Sequence, residues 1–572
     1  MKIFLVYKCH DLGRMEFYSR FTPLGLSSIA ALLRQEGFDA TLVNLSAFSW
    51  PRVERFLRRE RPDVVGVSVF TFNRHEAMRV AALARAANPG CLVVAGGPHA
   101  THMTRHLLEN YPALDLVVRG EGEETFLAIA RDAAAGRLRP GLAPPADLRG
   151  VSGRGGAGLD DTPDRPVIQD LDRLPHPAAD PRTIGIEAES QFEFIITSRG
   201  CPAACTFCSS PEFWGRALRF RSASHMLEEV RLLRERHGVV YLSVRDDTFT
   251  ASRQRVLEFC RGLVEARLDL LWDCQSRVNI VDEERLLWMR RAGCTHIQYG
   301  VESGSPRMLE RLNKGIRLEE IRRAAALTRR VGLGLSIYLI TGIDGENDAD
   351  LDSTVRLIEE IRPHDGLVSP LTVYPGTALH EEARTRLGLT DAFWLESRDE
   401  AFFVRRDPWT RRALRTLRST LKRVGREAAY GPDDFARQRE RVGDCYALRL
   451  AVGEFHERRG RLKRAQEEYA ALLADDPGSL WARLRLGHVL TRRRRFREAA
   501  GHYREATAIV PAFAHARRLL RQSLRAAREA GQERALAAER RDGTAATDQR
   551  SKSTRLRSRP TPGISTSTTS PG

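Results

Sequence analysis

Thr197-Ser-Arg-Gly-Cys201-Pro-Ala-Ala-Cys205-Thr-Phe-Cys208 is the stretch that decides the fold. Its cysteines have the spacing C-x3-C-x2-C and follow an apolar run, residues 192–196, that predicts a buried strand. Thiolates are the usual ligands of iron–sulfur clusters, and three of them bind three irons of a [4Fe–4S] cube while the fourth iron stays open. A zinc site normally has four ligands, and no second Cys or His pair follows closely. Three unrelated cysteines are the remaining alternative.

Length and charge limit the functional classes. The chain has 572 residues and a net charge of +17, and its length predicts three or four domains. Residues 401–572 carry 39 Lys and Arg against 19 Asp and Glu, whereas residues 1–400 carry 52 against 55. Because the basic charge lies outside the cysteine-containing region, nucleic-acid binding is not expected. Nine irregularly spaced cysteines, with no signal peptide or membrane span expected, predict a reducing, cytoplasmic location.

Residues 1–140 alternate strand-like and helix-like segments. Apolar runs at 3–7, 40–45, 64–69, 92–95 and 116–118 are separated by periodic stretches. This alternation predicts an α/β fold with a Rossmann-like, doubly wound parallel sheet, in which ligands bind beyond the carboxyl ends of the strands. Ser68-Val-Phe-Thr71, Gly96-Gly-Pro-His99 and Arg119-Gly-Glu-Gly122 stand at three such ends. Ordinary turns between strand and helix are the alternative interpretation.

Residues 191–390 contain six strand candidates, each followed by a helical stretch: 192–197, 239–244, 270–275, 296–301, 335–341 and 366–373. This order predicts a partial (β/α)6 barrel whose site lies at the carboxyl ends of the strands. Three further cysteines, Cys260, Cys274 and Cys294, have no cluster spacing and are expected to be buried structural thiols, although Cys274 also stands near a strand end.

The remaining segments are assigned by composition and by one repeat. Residues 141–190 are rich in Gly, Pro and Asp and predict a linker, and residues 391–440 form an aromatic and basic extension. In residues 441–530, Gly453/Gly487, Ala465/Ala499, Tyr469/Tyr503 and Pro477/Pro511 recur at a spacing of 34, which resembles all-α tetratricopeptide (TPR) repeats. Such repeats bind partners, self-associate or pack internally. Residues 531–572 predict a disordered tail.

The cysteine motif with Phe207 before its third cysteine resembles the signature of radical S-adenosylmethionine (SAM) enzymes, over about residues 190–390. In that family the open iron chelates SAM, and an electron from the cluster cleaves SAM to a 5′-deoxyadenosyl radical. The resemblance implies that Cys201, Cys205 and Cys208 hold a [4Fe–4S] cluster. Residues 391–440 resemble family extensions that close the open side of the barrel.

The resemblance also implies SAM contacts after successive barrel strands. Asp246 is expected to contact the SAM amino group, Arg277 to pair with its carboxylate, and Glu302 with Ser303 to accept hydrogen bonds from the ribose or methionyl part. Helix capping for Asp247 and surface exposure for Arg277 are the alternatives. The full set of expected SAM-binding residues is Phe207, Asp246, Arg277, Glu302, Ser303 and Gly342. Ser305 is expected to cap a helix, and Tyr374 to face the substrate or to pack.

Pro23-Leu-Gly-Leu and the strand-end motifs of residues 1–140 resemble the cobalamin-binding domain that precedes many radical SAM domains. The expected contacts are Ser68, Thr71, Gly96, Gly97, Pro98, His99, Gly120 and Glu121. The D-x-H-x-x-G motif, which supplies a cobalt ligand in other cobalamin enzymes, does not occur in residues 1–140. The resemblance therefore implies cobalamin held without that histidine, and His99 is expected to contact the corrin rather than cobalt.

Together these resemblances imply a cobalamin-dependent radical SAM enzyme that methylates an unreactive carbon of a small-molecule or lipid substrate. A flavodoxin-like or ferredoxin-like protein is the expected electron donor. Three alternatives stay open: a cyclase, oxidase or rearrangement enzyme that uses cobalamin without methylation, a cobalamin- and TPR-containing regulatory or scaffold protein, and a nucleic-acid-modifying enzyme. The sequence does not identify the substrate.

Overall fold

The N-terminal domain is built on an eight-stranded sheet. The structure is a computed structural model that describes residues 1–9, 21–155, 158–179, 181–186, 191–397, 399 and 401–532. The strands are β1 (Lys2–Tyr7), β2 (Asp39–Asn44), β3 (Val64–Ser68), β4 (Leu92–Gly96), β5 (Leu116–Val118), β6 (Val151–Gly155), β7 (Gly158–Asp161) and β8 (Thr183–Ile184). The helices are Leu24–Gln35, Trp50–Glu60, Arg74–Ala87, Pro98–His102, Thr104–Asn110 and Glu123–Ala134.

The strand order of this sheet indicates where a ligand would bind. The order is β7-β6-β5-β4-β3-β1-β2-β8, and β1 to β5 are parallel. The strand order reverses between β1 and β3, where open α/β sheets bind ligands beyond their carboxyl ends. Core strands such as β1 and β3 are almost wholly buried, as a sheet covered by helices on both faces requires. The predicted doubly wound sheet is confirmed.

Residues 141–190, which the sequence predicts to be a linker, contribute three short strands to the N-terminal sheet. β6 and β7 form an antiparallel hairpin that extends one edge of the sheet, and β8 pairs in parallel with β2 at the other edge. The hairpin strands are glycine-rich and show no apolar alternation, so the local pattern does not mark them. β6 also pairs with β5, which is distant in the sequence.

The second domain is a partial barrel. Six parallel strands follow one another in the order β9 (Phe194–Ile195), β12 (Tyr241–Val244), β13 (Leu271–Ser276), β14 (Cys294–Glu302), β15 (Gly334–Thr341) and β16 (Asp365–Pro370). Two short antiparallel pairs join β10 (Ser198–Arg199) to β11 (Arg219–Phe220) and β17 (Thr372–Val373) to β18 (Phe402–Phe403). In this part of the described chain β9 and β16 do not pair with each other, so the barrel is open on one side.

Helices surround the barrel and begin at capping side chains. They are Ser210–Trp214, Ala223–His237, Arg253–Glu265, Glu283–Arg291, Pro306–Arg311, Leu318–Arg330, Asp348–Ile361 and Ala378–Arg386. Ser222, Ser252, Asp282, Ser305 and Asn347 each accept a hydrogen bond from a backbone N–H of the following first turn. The prediction that Ser305 caps a helix is thus confirmed.

The segment after the barrel packs on both domains. Its helices are Ala392–Glu396 and Pro408–Glu427. The second lies along β16, where Arg418 donates to the carbonyl of Val368 at 3.1 Å. Arg74 of the N-terminal domain is fully buried and donates to the carbonyls of Trp394, Ser397 and Asp399. This segment therefore fastens the N-terminal domain to the barrel.

The C-terminal region consists of helices, Pro432–Val442, Tyr446–Arg458, Leu462–Asp475, Leu480–Arg492, Phe496–Ile509 and residues 514–532. The two middle pairs begin 34 residues apart, and Gly453 and Gly487 hold the same place in them. A Cβ atom at Gly453 would lie 2.2 Å from the ring of Tyr469, and one at Gly487 would lie 2.5 Å from the ring of Tyr503. The TPR assignment stays a prediction, and from residue 533 the predicted disordered tail lies outside the described residues. No helix in the described part of the chain is long and apolar enough to cross a membrane.

These helices dock on the N-terminal ends of the barrel strands. Tyr446 donates its hydroxyl to the carbonyl of Leu270 at 2.6 Å, and the Trp481 indole N–H donates to the carbonyl of Asp269 at 2.7 Å. Val240 and Leu271, at the starts of β12 and β13, are buried within the cores of the two helix pairs. The C-terminal helices therefore form the floor of the barrel, opposite the ends of the strands where the site is expected.

Asp269 makes the folding stability of this floor depend on pH. Burial and the nearby Asp476 carboxylate raise the pKa of Asp269 to about 6, so the folded state holds a proton more tightly than the unfolded chain, whose pKa is about 3.9. The stability from this group is present below about pH 4 and is lost as pH rises through 6. Because Asn tolerates the φ of +47° here, we expect Asp269→Asn to raise the free energy of unfolding at pH 7.5 by about 1–3 kcal/mol. Thermal unfolding from pH 5 to 8 should show this gain shrinking below pH 6, and a less stable variant at pH 7.5 would contradict the prediction.

Candidate functional site

The three motif cysteines lie on a loop that begins at β10. Gly200, directly before Cys201, has a φ of +91°, and a Cβ atom there would lie 2.1 Å from the carbonyl oxygen of Ala217. The backbone N–H of Cys201 donates to Gly215 at 3.2 Å. Cys201 is buried, whereas Cys205 and Cys208 are half-buried. The chain thus makes a tight turn directly before the cysteines, and the cysteine loop lies at the carboxyl ends of the barrel strands.

Arg277 lies beside this loop, as its sequence position after β13 predicted. One guanidinium nitrogen is 3.6 Å from the Cys205 sulfur, and the other donates to the carbonyl of Lys314 at 2.5 Å. Burial raises the pKa of Cys201, and it raises that of Cys208 to about 11. In the described residues no three His, Cys, Asp or Glu side chains converge on one metal ion. Three free thiols on one loop match the three protein ligands of a [4Fe–4S] cluster, in which each sulfur binds its own iron.

Asp246 does not occupy the position that the sequence predicted for a SAM contact. Its carboxylate is fully buried and accepts from the Thr197 N–H and hydroxyl, both at 2.5 Å, and from the Ser198 hydroxyl at 2.7 Å. Arg255 approaches the same carboxylate at 3.5 Å. Asp246 therefore fastens the strand that leads into the cysteine loop, and its oxygens are already occupied.

The neighbouring Asp247 has the open carboxylate. It is exposed, and it accepts a hydrogen bond from the Ser210 hydroxyl at 2.9 Å. Although the residue reaches the surface, neighbouring protein atoms and the Asp246 carboxylate raise the pKa of Asp247, and the Asp247 charge raises the pKa of Cys201 and Cys208. The two neighbouring aspartates therefore differ in their partners: Asp246 binds the strand before the cysteine loop, and Asp247 binds Ser210.

Ser303 and Gly342 also lie away from the cysteine loop. The Ser303 hydroxyl is buried, contacts the Thr354 hydroxyl at 3.3 Å and accepts from the backbone N–H of Ser305. Gly342 donates to Glu346 at 2.6 Å, and a Cβ atom there would lie 2.8 Å from Thr410. Both residues pack against helices outside the barrel, and their contacts with SAM stay predictions.

Glu302 is tied to a residue that the sequence analysis missed. Lys314 donates to the Glu302 carboxylate at 2.6 Å, and both side chains are only 7% exposed. The Lys314 ammonium also lies 5.9 Å from the centre of the Phe207 ring, and the Lys314 carbonyl accepts from Arg277. The structure thus brings Phe207, Arg277 and Glu302 together around Lys314. No strand-end signal marked Lys314, because it follows a helix.

Glu302 carries backbone strain. Its φ is +65°, in the left-handed region that non-glycine residues rarely adopt, and the pairing of β14 with β15 shifts by one residue between Gly300 and Glu302. A Cβ atom at Gly300 would lie 2.6 Å from the Glu302 carboxylate. Such strain typically persists at functional sites, where it costs about 1–3 kcal/mol.

A cavity of about 500 Å³ lies beyond the carboxyl ends of β3, β4 and β5. All eight residues predicted to contact cobalamin line it: Ser68, Thr71, Gly96, Gly97, Pro98, His99, Gly120 and Glu121. Its wall also includes Ile196, Ser209 and Ser210, which flank the cysteine loop. The same space therefore adjoins the N-terminal domain and the cluster loop.

The cavity fits a large, mostly apolar ring with polar edges. Gly97 has a φ of +102° and Gly120 a φ of +70°, and around Gly120 there is open space where a Cβ atom would stand. The His99 ring is buried, with Nδ1 3.2 Å from the Thr71 hydroxyl and Nε2 without a hydrogen-bond partner. Burial lowers the pKa of His99 well below its usual value, so the ring is neutral. These features suit a corrin, whose rim carries amide groups.

Glu121 touches the cavity wall but is engaged elsewhere. One carboxylate oxygen lies 2.7 Å from Arg219 and 3.4 Å from Arg199, and the other accepts from the backbone N–H of Ile168 at 2.8 Å. The first of these oxygens has two ion-pair partners but no hydrogen-bond donor among the described residues, so the contact of Glu121 with cobalamin stays a prediction.

Among the cavity residues from the barrel domain, the sequence analysis did not identify two, and it left the role of a third undecided. Phe213 and Trp214 follow the cysteine loop, and Tyr374 follows β17 with 40% of its surface exposed. For Tyr374 the structure favours the cavity-facing alternative. Phe213 and Trp214 carried no motif, although their position six residues or fewer after Cys208 places them next to the loop.

Comparisons with known proteins agree with this architecture. A B12 binding domain model matches residues 12–130, and a radical SAM superfamily model matches residues 195–358. An uncharacterized methyltransferase of Pyrococcus horikoshii is 31% identical over 365 residues, which cover 63% of this chain and 78% of that protein. The anaerobic magnesium-protoporphyrin IX monomethyl ester cyclase of Rubrivivax gelatinosus is 28% identical, with 68% and 71% covered.

A solved structure has the same fold. The radical SAM methyltransferase TsrM from Kitasatospora setae, with cobalamin and a [4Fe–4S] cluster bound, superposes with a TM-score of 0.57 at 20% identity, covering 68% of this chain and 78% of that chain. The cavity, the cysteine loop and the match to the P. horikoshii relative lead to one conclusion. This chain belongs to the cobalamin-dependent radical SAM enzymes, whose cofactors are cobalamin, SAM and a [4Fe–4S] cluster.

Proposed function

We propose that this enzyme methylates an unreactive carbon of a small-molecule or lipid substrate. The observation that carries the proposal is the single cavity that adjoins both the eight predicted cobalamin residues and the cluster loop. When bound, cobalamin supplies the methyl group, and SAM on the cluster supplies the radical that removes a hydrogen atom from the substrate. Such a reaction requires both cofactors to reach the same carbon, and a shared cavity meets that requirement.

The residues of this chain have separate roles in the proposal. Cys201, Cys205 and Cys208 hold the cluster, and Asp247 replaces Asp246 as acceptor for the SAM amino group. Arg277 pairs with the SAM carboxylate, since its guanidinium already lies beside Cys205. Tyr374 faces the substrate. Phe213 and Trp214 exclude water between the two domains, where a radical needs protection.

A cyclase is the second candidate function. A relative named as an anaerobic cyclase is nearly as similar as the methyltransferase relative, at 28% against 31% identity. The same cofactor arrangement serves both reactions, because each starts with hydrogen abstraction. For either reaction we place the enzyme in the cytoplasm, where thiols stay reduced. A flavodoxin-like or ferredoxin-like protein would supply the electrons.

Products of SAM distinguish the candidates. Protein purified without oxygen and loaded with cluster and cobalamin would be incubated with SAM and dithionite. We expect both 5′-deoxyadenosine and S-adenosylhomocysteine, because the methyltransferase uses SAM in two ways. Deoxyadenosine alone would favour the cyclase. Neither product, from protein shown to carry both cofactors, would contradict the proposal, and protein without cobalamin serves as the control.

A further inference from the structure

Four buried charges join the N-terminal domain to the cluster-bearing hairpin. Glu121 and Glu123 lie just after β5, whereas Arg199 and Arg219 are paired residues of β10 and β11. Arg199 reaches Glu123 at 2.5 Å and Glu121 at 3.4 Å, and Arg219 reaches Glu121 at 2.7 Å. All four side chains are less than one-tenth exposed. Two carboxylates and two guanidinium groups balance the charge.

This cluster of charges lies between the two cofactor regions. Arg199 is two residues before Cys201, and its guanidinium lies 4.8 Å from the ring of Trp214, which lines the cavity. Glu121 and Glu123 line the other side of the same cavity. Arg219 also donates to the carbonyl of Ile168, in the segment that connects the domains, at 2.6 Å. A displacement of either partner would therefore move the cysteine loop relative to the cavity.

Stability alone does not account for such a cluster. Burying ion pairs carries a desolvation penalty that their attraction barely repays, and apolar replacements are often equally stable. A hydrogen-bonded guanidinium and carboxylate also fix direction, because the planar guanidinium requires its acceptors in a narrow range of positions. Arg199 and Glu123 form such a pair, whereas the contacts of Glu121 with Arg199 and Arg219 are ion pairs without hydrogen-bond geometry. Burial opposes ionisation of Glu123, but Arg199 outweighs it and holds the pKa of Glu123 below its usual range.

We propose that Glu121, Glu123, Arg199 and Arg219 are positioning residues that set the distance and orientation between the cobalamin cavity and the cluster loop. They act by alignment and touch neither reacting group. The proposal rests on the proposed function, since alignment matters only if the two cofactors act on one another or on one substrate.

Glu123→Gln tests this inference, because it keeps the shape of the side chain and removes the charge that holds Arg199. The matched control is Glu229→Gln. Glu229 accepts from Arg221 at the same 2.5 Å and is equally buried, but both residues belong to the barrel domain. Arg199→Lys is a second variant, which keeps the charge but cannot reach both carboxylates with a planar fork.

The first measurement is electron paramagnetic resonance spectroscopy. Cob(II)alamin and the reduced cluster each carry an unpaired spin, so the coupling between them in electron paramagnetic resonance spectra reports their separation. We expect Glu123→Gln, compared with the parent at equal cobalamin and iron content, to broaden or weaken this coupling. Glu229→Gln should leave the coupling unchanged, and Arg199→Lys should fall between the two.

The second readout compares two uses of SAM. Cleavage to 5′-deoxyadenosine would need only the cluster side. S-adenosylhomocysteine would form when cobalamin reduced by dithionite takes the methyl group of SAM and the electrons of the broken sulfur–carbon bond stay on sulfur. For Glu123→Gln we expect deoxyadenosine formation within about twofold of the parent and a loss of roughly tenfold or more in S-adenosylhomocysteine, a size typical of misplaced reacting groups. Equal losses in both products with unchanged spin coupling, or the same behaviour in Glu229→Gln, would overturn the inference. If the parent itself forms neither product, the proposed function fails while the spin coupling still tests the positioning role.

Discussion

Cys201→Ala protein is expected to fold, to bind cobalamin and to have lost SAM cleavage. Cys201 is the first and the most buried of the three thiols on the loop, and a cube held by two thiolates has two open irons instead of one. Formation of 5′-deoxyadenosine should fall on the order of 1,000-fold or more, as when an essential member of a catalytic group is removed. Iron content and the charge-transfer absorbance of the cluster should fall with it.

The control for this change is Cys260→Ala. Cys260 is fully buried in the barrel core, away from the loop, and burial raises its pKa well above the usual value, so it is a neutral packing thiol. We expect full iron loading and activity in this variant, with a modest loss in melting temperature. Retained SAM cleavage in Cys201→Ala, or lost cleavage in Cys260→Ala, would contradict the assignment of the cluster ligands.

Lys314→Met should be the most destabilising single change near the site. It leaves the Glu302 carboxylate buried and without its cation, in a residue whose backbone is already strained. Breaking one partner of a buried ion pair costs about 3–5 kcal/mol, because the remaining charge stays desolvated. Denaturant unfolding of the apoprotein measures the loss directly.

The double variant Lys314→Met with Glu302→Gln provides the control. Removing both charges should recover most of the lost stability, because the penalty comes from the unpaired carboxylate and not from the missing methylene contacts. SAM cleavage should stay low in both proteins, because each lacks the buried Lys314–Glu302 pair that lies beside Phe207. A double variant as unstable as Lys314→Met would show that packing, not charge, explains the effect.

The positions of the two sites could be predicted from sequence because parallel strands share one edge. Ser68, Gly96 and Gly120 are far apart in the chain, yet each follows a strand of the same sheet, so one cavity collects them. The cysteine loop followed in the same way from the first barrel strand. Periodicity also marked the strands and helices to within a few residues.

Side-chain direction could not be predicted in this way. Asp246 and Asp247 are equivalent in a sequence pattern, but only the hydrogen bonds from Thr197 and Ser198 decide which carboxylate is buried. Glu121 had the position of a ligand-binding residue, and its arginine partners lie some 80 to 100 residues away in the other domain. Long-range partners of this kind carry no local signal.

Because the C-terminal helices form the floor of the barrel, the barrel domain depends on them when the chain is truncated. A fragment that ends at residue 440 would leave Val240 and Leu271 facing water and would break the hydrogen bonds of Asp269 and Leu270 to the C-terminal helices. We therefore expect a fragment that ends at residue 440 to be less stable than the full chain. Any molecule that binds the outer face of these helices meets the enzyme some distance from the chemistry, on the side that substrate does not enter.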